Sequence, residues 1–267
     1  MIPYFCFDKI IIGPVTIYVW GIFIALAFLF GYLFLLKESK KAKIDMGIIH
    51  NLAIWVILGA VVGARLGYVL QFPRDFFSQP LEILKIWQGG LTLFGGIFGA
   101  LVVGILYFIL TKRRELFFPI ADLVALALPL SFAIGRIGCS LINDHQGAET
   151  SLPWGIVWPD GVIRHPVAGY LIINALVLFL VLRFLLRTEL VLVRGLKSRL
   201  KKPGQLFFFF LFLYSFSRFF LDFTRSIDTP LSDPHYFSLS TTQWLSLFII
   251  FSIIIVGIRY SFKRSRT

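Results

Sequence analysis

Acidic residues are scarce: 14 Asp and Glu stand against 26 Lys and Arg, for a net charge of +12, and charged residues make up only 15% of the 267. Soluble domains carry about 25% charged residues, so an ordinary soluble fold is excluded. Disorder is excluded too, because its signature is high charge with little apolar content. Two cysteines, Cys6 and Cys139, are too few for a disulfide framework and form no metal-ligand spacing, and no metal or other cofactor is expected. No short apolar stretch followed by a small-residue cleavage site opens the chain, so the N-terminus reads as mature. An internal repeat of the kind found in inverted-repeat transporters is also missing. What the chain has in excess is apolar: 58% hydrophobic residues, with 30 Phe. The cations sit at the ends of apolar runs of about 20 residues rather than along one polar face, which argues against a nucleic-acid partner. The chain reads as a polytopic membrane protein.

A bilayer core about 30 Å thick needs about 20 helical residues. Seven runs qualify: Val15–Leu36, Met46–Leu70, Gly90–Leu110, Phe117–Arg136, Pro166–Leu186, Gly204–Asp222 and Thr241–Ile258. They predict an all-α membrane protein with seven transmembrane helices in a single polytopic domain over residues 1–267. Clusters of Lys and Arg follow the first, third, fifth and last runs (Lys37 to Lys43, Lys112 to Arg114, Arg187 to Lys202, Arg259 to Arg266). If the spans alternate, these clusters share one side, which the positive-inside rule makes cytoplasmic. The N-terminus is then outside and the C-terminus cytoplasmic. Outward-facing loops are expected at 71–88, 137–165 and 223–240, and the second of them is the longest. The basic, Leu- and Val-containing segment Thr188–Pro203 reads as an amphipathic helix on the anionic cytoplasmic lipid surface.

Ionisable residues inside apolar spans cost at least about 2.5–3.5 kcal/mol and need a reason. Arg65 lies in Gly63-Ala64-Arg65-Leu66-Gly67, and Arg136 in Gly135-Arg136-Ile137-Gly138. Arg218 and Asp222 are four residues apart and share a helix face, with Arg225 about one turn on. Snorkelling to the interface is an alternative for each arginine, strongest for Arg225. Flanking glycines at Arg65 and Arg136 point instead to close backbone approach. Three guanidiniums from three helices, partly balanced by Asp222, predict an anion in their midst, and a phospholipid headgroup is the obvious one in bilayer lipid. Asn143, Asp144 and His145 follow Arg136, and His165 opens the fifth span.

At these residues the sequence resembles the prolipoprotein diacylglyceryl transferases of bacteria. The resemblance runs in order through Ile12-Gly13-Pro14 with Trp20-Gly21, Gly63 to Tyr68, Trp87-Gln88-Gly89-Gly90 with Gly95-Gly96, Gly135 to Gly138, Leu152-Pro153-Trp154-Gly155, Arg164-His165-Pro166, and Tyr214…Arg218…Asp222…Arg225. Phe94 stands where the family commonly has a His, Cys139-Ser140 where it reads Asn-Phe, and Asp144 where it has Glu. After Pro166 only Tyr170 of the family's Ser-Gln-x-Tyr-Glu is kept.

The resemblance implies transfer of the diacylglyceryl group of phosphatidylglycerol to the lipobox cysteine thiol of a preprolipoprotein, forming a thioether and glycerol phosphate. It implies a protein of the bacterial inner membrane with its site toward the extracytoplasmic side. Arg136 and Arg218 would hold the phosphate, supported by Arg65, Arg225 and Tyr214. Asp222 would orient Arg218, and Asp144 would fix the signature loop. With Phe94 unable to take a proton, His145 or His165 is the candidate base, His145 being preferred for its place in that loop. Two alternatives stand beside this: a lipid-binding or lipid-moving protein without catalysis, and an acyl transferase using Cys139 as nucleophile.

Overall fold

The computed structural model describes residues 1–77, 80–86, 89–144, 146–188, 203–227 and 234–264. His145 and most of the basic segment 188–203 lie outside them. Six long helices and one of 17 residues carry the chain: α1 Val19–Lys41, α2 Met46–Gln71, α4 Leu93–Leu110, α5 Phe117–Ile142, α6 Val167–Thr188, α7 Gln205–Leu221 and α8 Thr241–Arg264, with a five-residue α3 at Pro73–Phe77. Five of these helices are long and apolar enough to cross a membrane, and 17-residue apolar helices occupy Phe94–Leu110 and Thr241–Gly257. The protein is therefore a mostly helical membrane protein.

Short strands decorate the helices. Strands β2 (Lys9–Ile12) and β3 (Val15–Tyr18) form a hairpin, so the first helix begins at Val19 and not at Val15. Gly13 makes the turn at φ +57°, a conformation glycine adopts without strain. Strands β4 (Ile156–Val157) and β5 (Ile163–Arg164) pair antiparallel, and β1 (Ile2–Pro3) adds parallel to β4. A last hairpin, β6 (His235–Tyr236) with β7 (Leu239–Ser240), precedes α8. The fourth predicted span ended at Arg136, but α5 continues to Ile142, because nothing in Ile137 to Ile142 breaks a helix. It stops where Asn143 takes the left-handed conformation, φ +48°.

Contacts within the chain separate into two compact units, Met1–Leu35 with Ala121–Thr267, and Leu36–Ile120. In the second unit, α2 and α4 meet backbone to backbone. A Cβ placed on Gly63 would fall 2.8 Å from the Gly99 Cα, and one on Gly99 would fall 2.9 Å from the Gly63 Cα. Membrane helices lack a hydrophobic drive to associate, so close packing of small residues holds them. Gly63→Val is expected to lower stability by about 3 kcal/mol through overpacking. Gly257→Ala, where a Cβ meets nothing within 4 Å, should leave it unchanged. Thermal unfolding in detergent compares the two.

In the first unit the core is built by Ala125 and Leu126 of α5, Leu182 of α6, and Leu206 and Phe210 of α7. The Asp122 carboxylate of α5 caps the start of α7, accepting from the backbone N–H of Gly204 at 2.7 Å and of Phe207 at 2.8 Å. It satisfies two of the donors that every helix start leaves open. Asp122 and Gly204 are 82 residues apart in sequence. The same offset pairs Phe132 with Tyr214, whose rings are 5.4 Å apart. Helices α5 and α7 therefore run parallel and in register, and one turn further the register brings Arg136 to the level of Arg218.

Candidate functional site

Arg218 and Arg136 are within Coulombic range of each other, with Arg225 and Tyr214 also in range of Arg218. Arg218 is buried, and its Nη2 pairs with Asp222 Oδ1 at 3.0 Å, while Arg225 Nη1 lies 3.6 Å from the same oxygen. The other carboxylate oxygen, Oδ2, accepts from the Ser240 hydroxyl and from Thr242 Oγ1, the latter at 2.8 Å. Ser240 and Gln243 form a capping box at the start of α8: the Gln243 N–H donates to Ser240 Oγ (3.1 Å) and the Ser240 N–H to Gln243 Oε1 (2.8 Å). Asp222 is thus held by the first turn of α8 and in turn holds two arginines.

Arg136 is placed differently. Gly135 and Gly138 on either side of it let α1 approach, with a Cβ on Gly138 falling 2.6 Å from Phe23 Cβ. Its guanidinium donates to the Cys139 sulfur at 3.7 Å and makes no ion pair among the described residues. The Trp20 and Asp144 side chains lie close to the buried Cys139 thiol. Three guanidiniums therefore share one level of this unit with two carboxylates, the fully engaged Asp222 and the Asp144 group near the Cys139 thiol. That excess of positive charge, with planar N–H forks, is the arrangement that binds phosphate.

The loop after α5 closes over this level as a small β layer. Ala148 N–H donates to Thr224 O, Ser226 N–H to Gln146 O, and His165 N–H to Ala148 O. Gly147 bridges to Arg225, and Arg164 Nη1 donates to its carbonyl at 3.3 Å. A side chain at Gly147 would collide with the backbone of His165, so this glycine allows the two segments to touch. The layer brings Arg225 and His165 to either side of Gly147. His165 Nδ1 is 3.0 Å from the Tyr170 hydroxyl, which also receives the Trp154 indole N–H at 2.8 Å. Partial burial pushes the His165 pKa below the usual histidine value, favouring the neutral ring.

The sequence profile of the prolipoprotein diacylglyceryl transferases matches residues 9–259. The chain belongs to this family. It is 34% identical over 244 residues to a phosphatidylglycerol–prolipoprotein diacylglyceryl transferase of Bordetella avium, covering 88% of this chain and 87% of the relative. A protein of the same name from Polynucleobacter necessarius is 38% identical over 198 residues, 73% of this chain and 71% of that one. One from Listeria innocua is 32% identical over 251 residues, 90% and 84% of the two. Membership of a transferase family disfavours both the non-catalytic lipid carrier and the Cys139 acyl transferase.

One expected anion ligand has a different employment. Arg65, buried in the unit Leu36–Ile120, donates through Nε to Ile83 O (2.8 Å), through Nη1 to Gly89 O (2.8 Å) and Gly90 O (3.1 Å), and through Nη2 to Glu82 O (2.5 Å). Four of its five N–H groups are taken by carbonyls of one loop. Gly89 and Gly90, at φ +90° and +73°, turn those carbonyls inward. Arg65 holds a loop, and its flanking glycines make the close backbone approach expected of them, against α4. Its sequence signal was the same as that of Arg136, since only the partner atoms distinguish the two.

Three features of the site went unread in the sequence. The capping box Ser240-Thr241-Thr242-Gln243 was legible as a helix start, but not as the seat of Asp222. Arg164, at one end of the motif Arg164-His165-Pro166, is buried and donates to the Gly147 carbonyl, which nothing in its sequence neighbourhood announces. Trp154 and Tyr170 were noted without a role, because their 16-residue separation hides that they share one hydroxyl hydrogen-bond chain.

Proposed function

We propose that this protein transfers the diacylglyceryl group of phosphatidylglycerol to the lipobox cysteine thiol of preprolipoproteins. The thiolate sulfur forms a bond to the terminal glycerol carbon of the diacylglyceryl group, the bond from that carbon to the phosphate oxygen breaks, and glycerol phosphate leaves. The observation that carries the reading is the surplus of guanidinium over carboxylate around Asp222, in a chain of this family. Arg136 and Arg218 hold the phosphate and stabilise the charge it gains on departure, with Arg225 and Tyr214 at its edge. Asp222 orients Arg218, and Asp144 fixes the loop that follows Arg136.

The thiol is a poor nucleophile until it loses its proton. His145 is assigned that proton, in preference to His165, whose Nδ1 already faces the Tyr170 hydroxyl. The protein crosses the bacterial inner membrane seven times with its N-terminus outside and its C-terminus cytoplasmic. The two 17-residue apolar helices complete the count, and the parallel run of α5 and α7 fits alternating spans with α6 between them. The Lys and Arg clusters then face the cytoplasm, and the arginine level faces outward.

Purified protein in phosphatidylglycerol vesicles, given a fluorescent lipobox peptide, is expected to yield a peptide heavier by one diacylglyceryl group. His145→Ala should slow transfer by about 10²–10⁴-fold. Binding of both substrates by the unaltered protein without any product would overturn the reading.

A further inference from the structure

Trp154, Tyr170 and His165 form a directional hydrogen-bond chain. An indole N–H only donates, so at 2.8 Å the Tyr170 oxygen accepts from Trp154. The hydroxyl then has one proton of its own to give. Among the described residues its only other side-chain hydrogen-bond partner is His165 Nδ1, at 3.0 Å. A nitrogen that accepts there carries no proton, and a neutral imidazole must then carry it on Nε2.

We infer that Trp154 and Tyr170 are positioning residues that lock His165 as its Nε2–H tautomer, making the imidazole a hydrogen-bond donor to an oxygen of the lipid headgroup rather than a base. The donor role rests on the transferase reading above; the tautomer does not. Two observations place that donor usefully. His165 lines a recess with Ser140, Asn143 and Trp158, the first two of which follow Arg136 on the same helix and its terminal turn. Its backbone is tied on both sides, by its N–H to Ala148 O at 3.0 Å and by its carbonyl to the Val167 N–H at 2.9 Å. The backbone is therefore held at the end of β5 and at the first turn of α6, and the ring at the Tyr170 hydroxyl, which Trp154 in turn fixes. Burial, which lowers the His165 pKa and so favours the neutral ring, is consistent with this arrangement. A locked donor costs no reorganisation when charge develops on the headgroup.

The tautomer is read directly from ring-¹⁵N correlation spectra of the full chain in detergent micelles, with His165 assigned by its loss in His165→Gln. The unaltered protein should show His165 protonated on Nε2, and Tyr170→Phe, which removes only the hydroxyl, should show a mixture of tautomers. Protonation on Nδ1 in the unaltered protein overturns the inference, whatever the variants do. Transfer kinetics test the donor role. His165→Gln, which retains an N–H donor, should keep about tenfold more activity than His165→Ala, with the KM for the lipobox peptide unchanged in both. Equal loss in the two variants would mean that donation is not what His165 supplies. Absence of transfer by the unaltered protein would refute the transferase reading while leaving the spectroscopic result to decide the tautomer.

Discussion

Arg136→Ala is expected to lower the rate of diacylglyceryl transfer by about 10²–10³-fold, the usual cost of removing one donor aimed at developing charge. Protein yield and thermal stability should stay close to those of the unaltered chain. The described side-chain bond of Arg136 is a long one to the Cys139 sulfur, and another guanidinium, Arg218, is within its Coulombic range. Removing Arg136 breaks no ion pair among the described residues and relieves its repulsion with Arg218, so any large loss of activity is a loss of substrate interaction and not of fold. Arg136→Lys should recover only part of the rate, because an ammonium restores the charge without the planar fork. Rates measured in phosphatidylglycerol vesicles, beside melting curves in detergent, check both halves. Full activity in Arg136→Ala would remove this residue from the phosphate site.

Asp222→Ala should do the opposite and damage the fold as well as the chemistry. Its carboxylate is almost fully buried and serves Arg218, Arg225, Ser240 and Thr242 together. Breaking a buried pair by deleting one partner costs about 3–5 kcal/mol, because the remaining charge is left uncompensated. Here the uncompensated group is the buried Arg218, which sits in the same cluster as Arg225. Asp222→Asn keeps the shape and one acceptor oxygen, so it should fold better than Asp222→Ala while still transferring more slowly than the unaltered protein. Yield of monodisperse protein and transfer rate, measured for both variants, distinguish the fold contribution from the catalytic one. A stable, fully active Asp222→Ala would show that α8 and Arg218 do not depend on this carboxylate.

The contrast between Arg65 and Arg136 shows where reading along the chain stops. Both sit between glycines in apolar runs, and local pattern cannot separate them. Arg65 is saturated by the carbonyls of Glu82, Ile83, Gly89 and Gly90, which lie 17 to 25 residues away. Among the described residues, the side-chain bond of Arg136 is the long one to the Cys139 sulfur. The relation of Arg218 to Asp222 was legible because four residues is one helical turn, a spacing set by the backbone itself. By contrast, the hydroxyls of Ser240 and Thr242 reach Asp222 across 18 and 20 residues, which no periodicity announces. Strand β3 was hidden for another reason: Val15 to Tyr18 runs without a break into the apolar helix that follows, and only its pairing with Lys9 to Ile12 makes it a strand.

From sequence alone came the membrane class, the approximate helices and the residues whose charge demanded an explanation. These follow from local quantities, since a helix satisfies its own backbone hydrogen bonds and its apolar length must match the bilayer. Tertiary structure alone decided which of those charges hold loops and which face one another. Guanidinium groups have the same chemistry wherever they stand, and their role is set by the oxygens that packing brings within 3 Å.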